Sequence, residues 1–235
     1  MLLSVKNIDV LYDDFQVIWD MSLDVKKGEM VALLGPNGSG KSTILNTVSN
    51  LISHKNGSIS FNEKLISNLP TYERTKLGIS HVLERRRVFP HLTVLQNLLL
   101  GAWHEKAKKV REKSLQEVYE IFPKLRIRSN QLAKTMSGGE QQMLAIARGL
   151  MGLPKLLMVD EPFLGLSPLV VKDLIKIFKN IVSKNISILF VEQNVRLALS
   201  MADRNDSAMR GGHVIGQIRP DPSQPLLHGG TNPPQ

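Results

Sequence analysis

The chain has 235 residues, 42% of them apolar, with no Cys. That suffices for one large α/β domain or one domain with an insert, and it argues against a disulfide-held scaffold. The formal net charge is +9, no run approaches the roughly 20 apolar residues of a membrane-spanning helix, and the opening Met1-Leu2-Leu3-Ser4-Val5-Lys6 lacks the basic and long apolar regions of a signal peptide, so the chain is expected to be soluble by itself.

The first 25 residues alternate as short antiparallel strands at 2–5, 8–12 and 21–25, with a turn at Asp13-Asp14. Residues 29–34 make a compact apolar strand that Gly35 ends. From Ser42 onward, Ile44, Leu45, Val48, Leu51 and Ile52 fall on one helical face. Lys55-Asn56-Gly57 reads as a turn, and 59–61 and 78–83 as strands. Between 85 and 150 the texture is helical. One helix is expected over 93–102 and a charged one over 105–121, ended by Pro123. A third over 142–150 carries Met143, Ile146, Ala147 and Leu150 at i, i+3, i+4 and i+7. Alternation then returns, with strands at 156–160 and 187–191 around a helix over 170–182.

Strands and helices alternating on apolar runs imply an α/β fold with a mostly parallel, buried sheet. The N-terminal strands form an antiparallel β subdomain, and an α-helical subdomain is inserted. The expected division is one discontinuous core, 1–84 and 151–218, a helical insert over 85–150, and a disordered Pro-rich tail over 219–235. Residues 85–134 hold twelve Lys/Arg against four acidic residues, so nearly all the excess charge sits in the insert. A solvated face, anionic lipid headgroups or an acidic partner would each suit it. Nucleic acid is not expected, because no aromatic residues interleave these charges.

Three motifs carry chemistry. Gly35-Pro36-Asn37-Gly38-Ser39-Gly40-Lys41-Ser42-Thr43 matches the phosphate-binding P-loop, between a strand and a helix as it must be. Its backbone N–H groups and the helix N-terminus cradle phosphates, Lys41 reaches the β- and γ-phosphates, and Ser42 holds Mg²⁺. This is a P-loop NTPase core, with ATP and Mg²⁺ as expected ligands. The strand at 156–160 ends in Asp160, placed to orient Mg²⁺, and Glu161, placed as general base toward an attacking water. Ser137-Gly138-Gly139-Glu140 opens a helix as a second phosphate reader, Ser137 donating and the glycines permitting close approach. Ser137 and Glu140 also fit a capping box, and the two readings are compatible.

Together these motifs resemble the nucleotide-binding subunit of an ATP-binding-cassette transporter. The resemblance extends to the branched-chain amino acid importer ATPases over about residues 2–204. It rests on Glu84 where most cassettes have Gln, Gln193 where they have a switch His, and Arg86-Arg87-Val88-Phe89-Pro90-His91-Leu92-Thr93-Val94. It implies a nucleotide held between the P-loop of one subunit and the Ser-Gly-Gly of another, in a homo- or heterodimer. It implies that Tyr12 stacks on adenine and that Glu84 contacts Mg²⁺. Gln193 would contact the γ-phosphate, and Leu164-Gly165-Leu166-Ser167-Pro168 would couple the two sites. It implies membrane permease subunits, an indirect partnership with a substrate-binding protein, and a place at the cytoplasmic face of a bacterial membrane. Other cargoes (urea, other amino acids, lipopolysaccharide) and a non-transport cassette are the alternatives. The chain departs from the subgroup at Leu83-Glu84-Arg85, where Pro-Glu-Gly is usual, and at 205–209, where an apolar strand is usual.

Overall fold

The computed structural model describes residues 1–201 and 213–215; the polar stretch 205–209 and the tail 219–235 lie outside the described residues. Strands β1 (Leu3–Tyr12) and β2 (Phe15–Val25) form a hairpin. Strand β3 (Met30–Leu34) leads to helix α1 (Lys41–Val48). Strands β4 (Asn56–Phe61) and β5 (Lys64–Leu65) follow, then helix α2 (Thr71–Leu77) and strand β6 (Ile79–Val82). The helical segment holds α3 (Val94–Gly101), α4 (Glu105–Lys109), α5 (Arg111–Ile121), α6 (Pro123–Ile127) and α7 (Gly138–Leu150). Strand β7 (Leu156–Asp160), helix α8 (Pro168–Ser183), strand β8 (Ser187–Glu192), helix α9 (Val195–Met201) and strand β9 (His213–Ile215) complete it.

Two sheets result: an antiparallel one in the order β2-β1-β4-β5, and a parallel one in the order β6-β7-β8-β3-β9. All residues of β3, β7 and β8 are buried, and their side chains alternate between two cores, as strand geometry requires. Met30, Ala32, Leu34, Leu157, Val159, Ile188 and Phe190 join α7, α8 and the inserted helices. Val31, Leu33, Leu156, Met158, Leu189 and Val191 join α1 and the antiparallel sheet. The parallel direction brings the C-terminal ends of β3, β6, β7 and β8 to one edge, where α/β sheets place ligands.

Three local expectations are corrected, and a fourth is extended. Residues 2–5 and 8–12 belong to one strand, because Asn7 adopts a left-handed backbone (φ 50°) that bends β1 without ending it. The expected turn at Lys55-Asn56-Gly57 is instead the start of β4: Asn56 pairs with Asp9, to whose Oδ2 its side chain donates at 2.7 Å. The charged helix over 105–121 breaks at Val110, which closes α4 and precedes α5. Pro123 ends α5, and it also opens α6 at the first-turn position that proline favours.

One buried cation ties the core together. Arg74 is 1% exposed, and its guanidinium donates to the carbonyls of Leu69, Thr47, Val48 and Ser67 at 2.7–2.9 Å. Thr47 and Val48 close α1, so Arg74 satisfies acceptors that a helix end leaves open.

Candidate nucleotide-binding site

The loop between β3 and α1 is shaped by positions that only glycine occupies without strain. Gly38 and Gly40 have φ of 78° and 88°, and a methyl group on Gly40 would lie 2.4 Å from Ile18 Cδ1. Lys41 is buried, and its ammonium donates to the carbonyls of Gly35 (2.9 Å) and Pro36 (2.8 Å). The Ser39 hydroxyl is buried within the loop and has no hydrogen-bond partner. A buried orphan donor beside a retracted ammonium suits an anion that would engage both. Tyr12 ends β1, half exposed, with its hydroxyl 3.3 Å from Thr43 Oγ1, so its ring lies beside the start of α1.

The acidic groups face this loop. Ser42 Oγ donates to Asp160 Oδ1 at 3.0 Å. Glu161 follows β7 with a left-handed backbone (φ 44°), an uncommon conformation for a residue other than glycine. Gln193 Nε2 donates to Glu161 Oε1 at 2.5 Å. A cleft of about 490 Å³ is lined by Asn37, Gly38, Lys41, Ser42, Glu84, Glu161 and Gln193. Thus the C-terminal ends of β3, β6, β7 and β8 all contribute.

Burial pushes the Asp160 carboxyl up to about 6, and the nearby charges of Glu161 and Glu84 act in the same direction, against the Ser42 hydrogen bond and Lys41. Negative charges confined in this way call for a cation. Among the described residues no three His, Cys, Asp or Glu side chains could hold a metal by themselves. The available donors are therefore a hydroxyl and carboxylates, completed by phosphate oxygens and water, which suits Mg²⁺.

A stability prediction follows. The folded pKa of Asp160 lies above its ordinary value of 3.8, so the fold favours the protonated acid. Its penalty is absent below pH 4, grows between pH 4 and 6, and is full above that. Asp160→Asn is expected to raise the urea midpoint of nucleotide-free protein at pH 8, with the gain vanishing at pH 4. A gain independent of pH would contradict this origin.

Ser137 caps α7 in a complete capping box. Its hydroxyl and backbone N–H both donate to Glu140 Oε2, at 3.0 and 2.9 Å. Each glycine of the motif has a near neighbour. A methyl group on Gly139 would lie 2.8 Å from Val170 Cγ1, and one on Gly138 would lie 2.4 Å from Arg86 Nη1. The motif is not among the groups that line the P-loop cleft of the same chain.

Sequence reading missed two participants. Glu192 is buried, and its Oε1 accepts from the backbone N–H groups of Gln193 (2.8 Å) and Asn194 (3.0 Å), fixing the turn that aims Gln193. An acidic residue closing an otherwise apolar strand is its only signal. Arg86 reads in the sequence as part of a family pattern, and nothing local announces its reach to Gly138.

A second cleft of about 490 Å³ lies between β6, α2, α3 and α7, with Leu51, Leu83, Phe89, Leu100, Trp103 and Arg148 on its walls. Phe89, Leu100 and Trp103 are each more than 40% exposed, a larger apolar surface than isolated exposed residues would give. His81 lines the same cleft; burial lowers its pKa to about 4, so it is neutral at physiological pH.

A family profile described as ABC transporter matches residues 18–164. The chain is 42% identical, over 86% of its length and 87% of the relative's, to the high-affinity branched-chain amino acid transport ATP-binding protein BraG of Pseudomonas aeruginosa. It is 35% identical, over 86% and 85%, to the lipopolysaccharide export system ATP-binding protein LptB of Haemophilus influenzae. Among solved structures it superposes on a nucleotide-free ATP-binding cassette from an ABC transporter with a TM-score of 0.76 at 28% identity, covering 85% and 84% of the two chains. It also superposes on a dimeric cassette in a post-hydrolysis state bound to ADP and Pi, with a TM-score of 0.72 at 25% identity, covering 83% and 90%.

Proposed function

This chain belongs to the ABC transporter family as one of its ATP-hydrolysing subunits, and we propose that it powers uptake of branched-chain amino acids through separate membrane permeases. The observation that carries the catalytic part is the convergence of Lys41, Ser42, Glu84, Glu161 and Gln193 on one cleft at the ends of four strands. The cargo is supported by 42% identity to a branched-chain amino acid transport protein, together with Glu84 and Gln193 at the switch positions.

The glycine loop and the start of α1 hold the phosphates through backbone N–H groups, and Lys41 exchanges its carbonyl partners for phosphate oxygens. Ser42, Asp160 and Glu84 would hold Mg²⁺, which supplies positive charge against the phosphates. Glu161 accepts the proton of the attacking water. Gln193, aimed by Glu192, orients that carboxylate and can donate to the γ-phosphate, but carries no charge of its own. Tyr12 borders the adenine. Ser137, Gly138 and Gly139 receive the γ-phosphate held by a second cassette, whether a copy of this chain or a homologue. The motif's absence from its own chain's cleft supports that division.

The exposed apolar cleft around Phe89 and Trp103 fits a segment of the permease, with the basic helices beside it. No helix among the described residues is long and apolar enough to cross a membrane, so the proposed place is peripheral, on the cytoplasmic face. The test is reconstitution of the chain with its membrane subunits in vesicles. Leucine, isoleucine or valine should be taken up at the expense of ATP. Export of a lipid, or uptake of an unrelated solute in their place, would transfer the chain to another cargo, of which lipopolysaccharide has specific support in the similarity to LptB.

A further inference from the structure

Residues 85–87 are three consecutive arginines in left-handed backbone conformations, with φ of 63°, 66° and 36°. Non-glycine residues adopt this region singly and rarely. The run follows Glu84, the residue that lines the P-loop cleft, and it turns the chain so that the three side chains part. Arg85 pairs with Glu84 at 3.5 Å. Arg87 is held through its carbonyl, which accepts from Arg148 at 2.7 Å. The guanidinium of Arg86 goes to the first turn of α7. Its Nη1 lies 2.4 Å from the point where a side chain on Gly138 would begin, and its Nη2 is 3.8 Å from the corresponding point on Gly165.

The electrostatics of this placement are unusual. The N-terminus of a helix is its positive end, and a cation set against it is repelled unless an anion intervenes. The acid of that turn, Glu140, is already engaged by Ser137 and by Arg128 at 3.1 Å. Among the described residues Arg86 has no carboxylate partner. A helix N-terminus and an unpaired guanidinium therefore point at the same small region, and an anion received there would gain charge-assisted bonds from both.

We propose that Arg86 is a phosphate-binding residue of the composite site, acting in trans: it binds the γ-phosphate of a nucleotide held by the partner's P-loop, beside Ser137 and Gly138. This rests on the two-subunit reading above and adds a residue to it. The arginine run then has a purpose, since one loop carries Glu84 for its own nucleotide and Arg86 for the partner's.

Arg86→Ala protein is expected to hydrolyse ATP about a hundredfold more slowly, as when one preorganised donor to developing charge is lost, with Arg86→Lys recovering part of the rate. The decisive measurement mixes Arg86→Ala with Lys41→Ala protein. In the mixed dimer one site combines the intact P-loop of the Arg86→Ala chain with the intact Arg86 of the other. Random pairing puts half the dimers in this class, so an equal mixture should return to about a quarter of the wild-type rate. Lys41→Ala mixed with Ser137→Arg is the control for the sandwich. If the control recovers and the Arg86→Ala mixture does not, Arg86 serves its own chain's nucleotide and the proposal falls while the sandwich stands. If the control also fails, copies of this chain form no sandwich with one another, and the proposal for such a dimer falls with it. Full activity in Arg86→Ala alone would overturn the proposal.

Discussion

Glu161→Gln protein is expected to bind ATP and keep it, with turnover lower by about 10²–10⁴-fold, the usual contribution of a positioned general base. The backbone at Glu161 is left-handed, and the residue directly follows a strand buried along its whole length, so the carboxylate is held in place by the fold. Gln193 donates to its Oε1, which leaves the other oxygen for water. A glutamine at 161 has the same shape and still accepts hydrogen bonds, but its amide cannot take a proton at neutral pH. Binding groups in the P-loop are untouched, so nucleotide affinity should be retained while single-turnover hydrolysis is lost. Hydrolysis at the wild-type rate would remove Glu161 from the mechanism, and loss of ATP binding would show a structural role instead.

Arg74→Ala is expected to destabilise the nucleotide-free protein by about 3–5 kcal/mol, near the upper end for single substitutions. The guanidinium is almost fully enclosed and satisfies four carbonyl groups. Two of those belong to the last turn of α1; alanine would leave a void and take the side-chain donor from the carbonyls of Val48 and Ser67, while those of Thr47 and Leu69 keep Asn50. Because α1 opens with Lys41 and Ser42, the loss also loosens the helix that presents the phosphate site. Nucleotide should therefore recover part of the stability by mass action. Thermal unfolding with and without ATP measures both effects. A midpoint within about 2 °C of wild type would mean that water replaces the guanidinium, since a loss of the expected size shifts a domain of this length several times further.

Much of the fold was legible because its signals are local. Val31 to Leu34 and Leu156 to Val159 are short apolar runs bounded by a glycine loop and an acidic pair, and both are central strands. Met143, Ile146, Ala147 and Leu150 lie on the buried side of α7 as their spacing requires. Signals failed where a distant partner decides. Asn56 and Gly57 have turn composition but open β4, where Asn56 pairs with Asp9 of β1 across almost fifty residues. The break at Val110 is invisible because charged residues continue on both sides, and α4 is set by His104, which accepts from the Ala107 N–H. At the site, P-loop chemistry is written in consecutive residues, whereas Glu192 and Arg86 act through turns whose geometry no motif encodes.

In the mechanism proposed above, the γ-phosphate at each P-loop meets Ser137 and Gly138 of another chain. Sedimentation of the Glu161→Gln protein, which should hold ATP without hydrolysing it, tests this directly. With ATP and Mg²⁺ a dimer retaining two nucleotides is predicted, and with ADP or without nucleotide a monomer. A monomer that saturates with one ATP and never associates would contradict a composite site between copies of this chain.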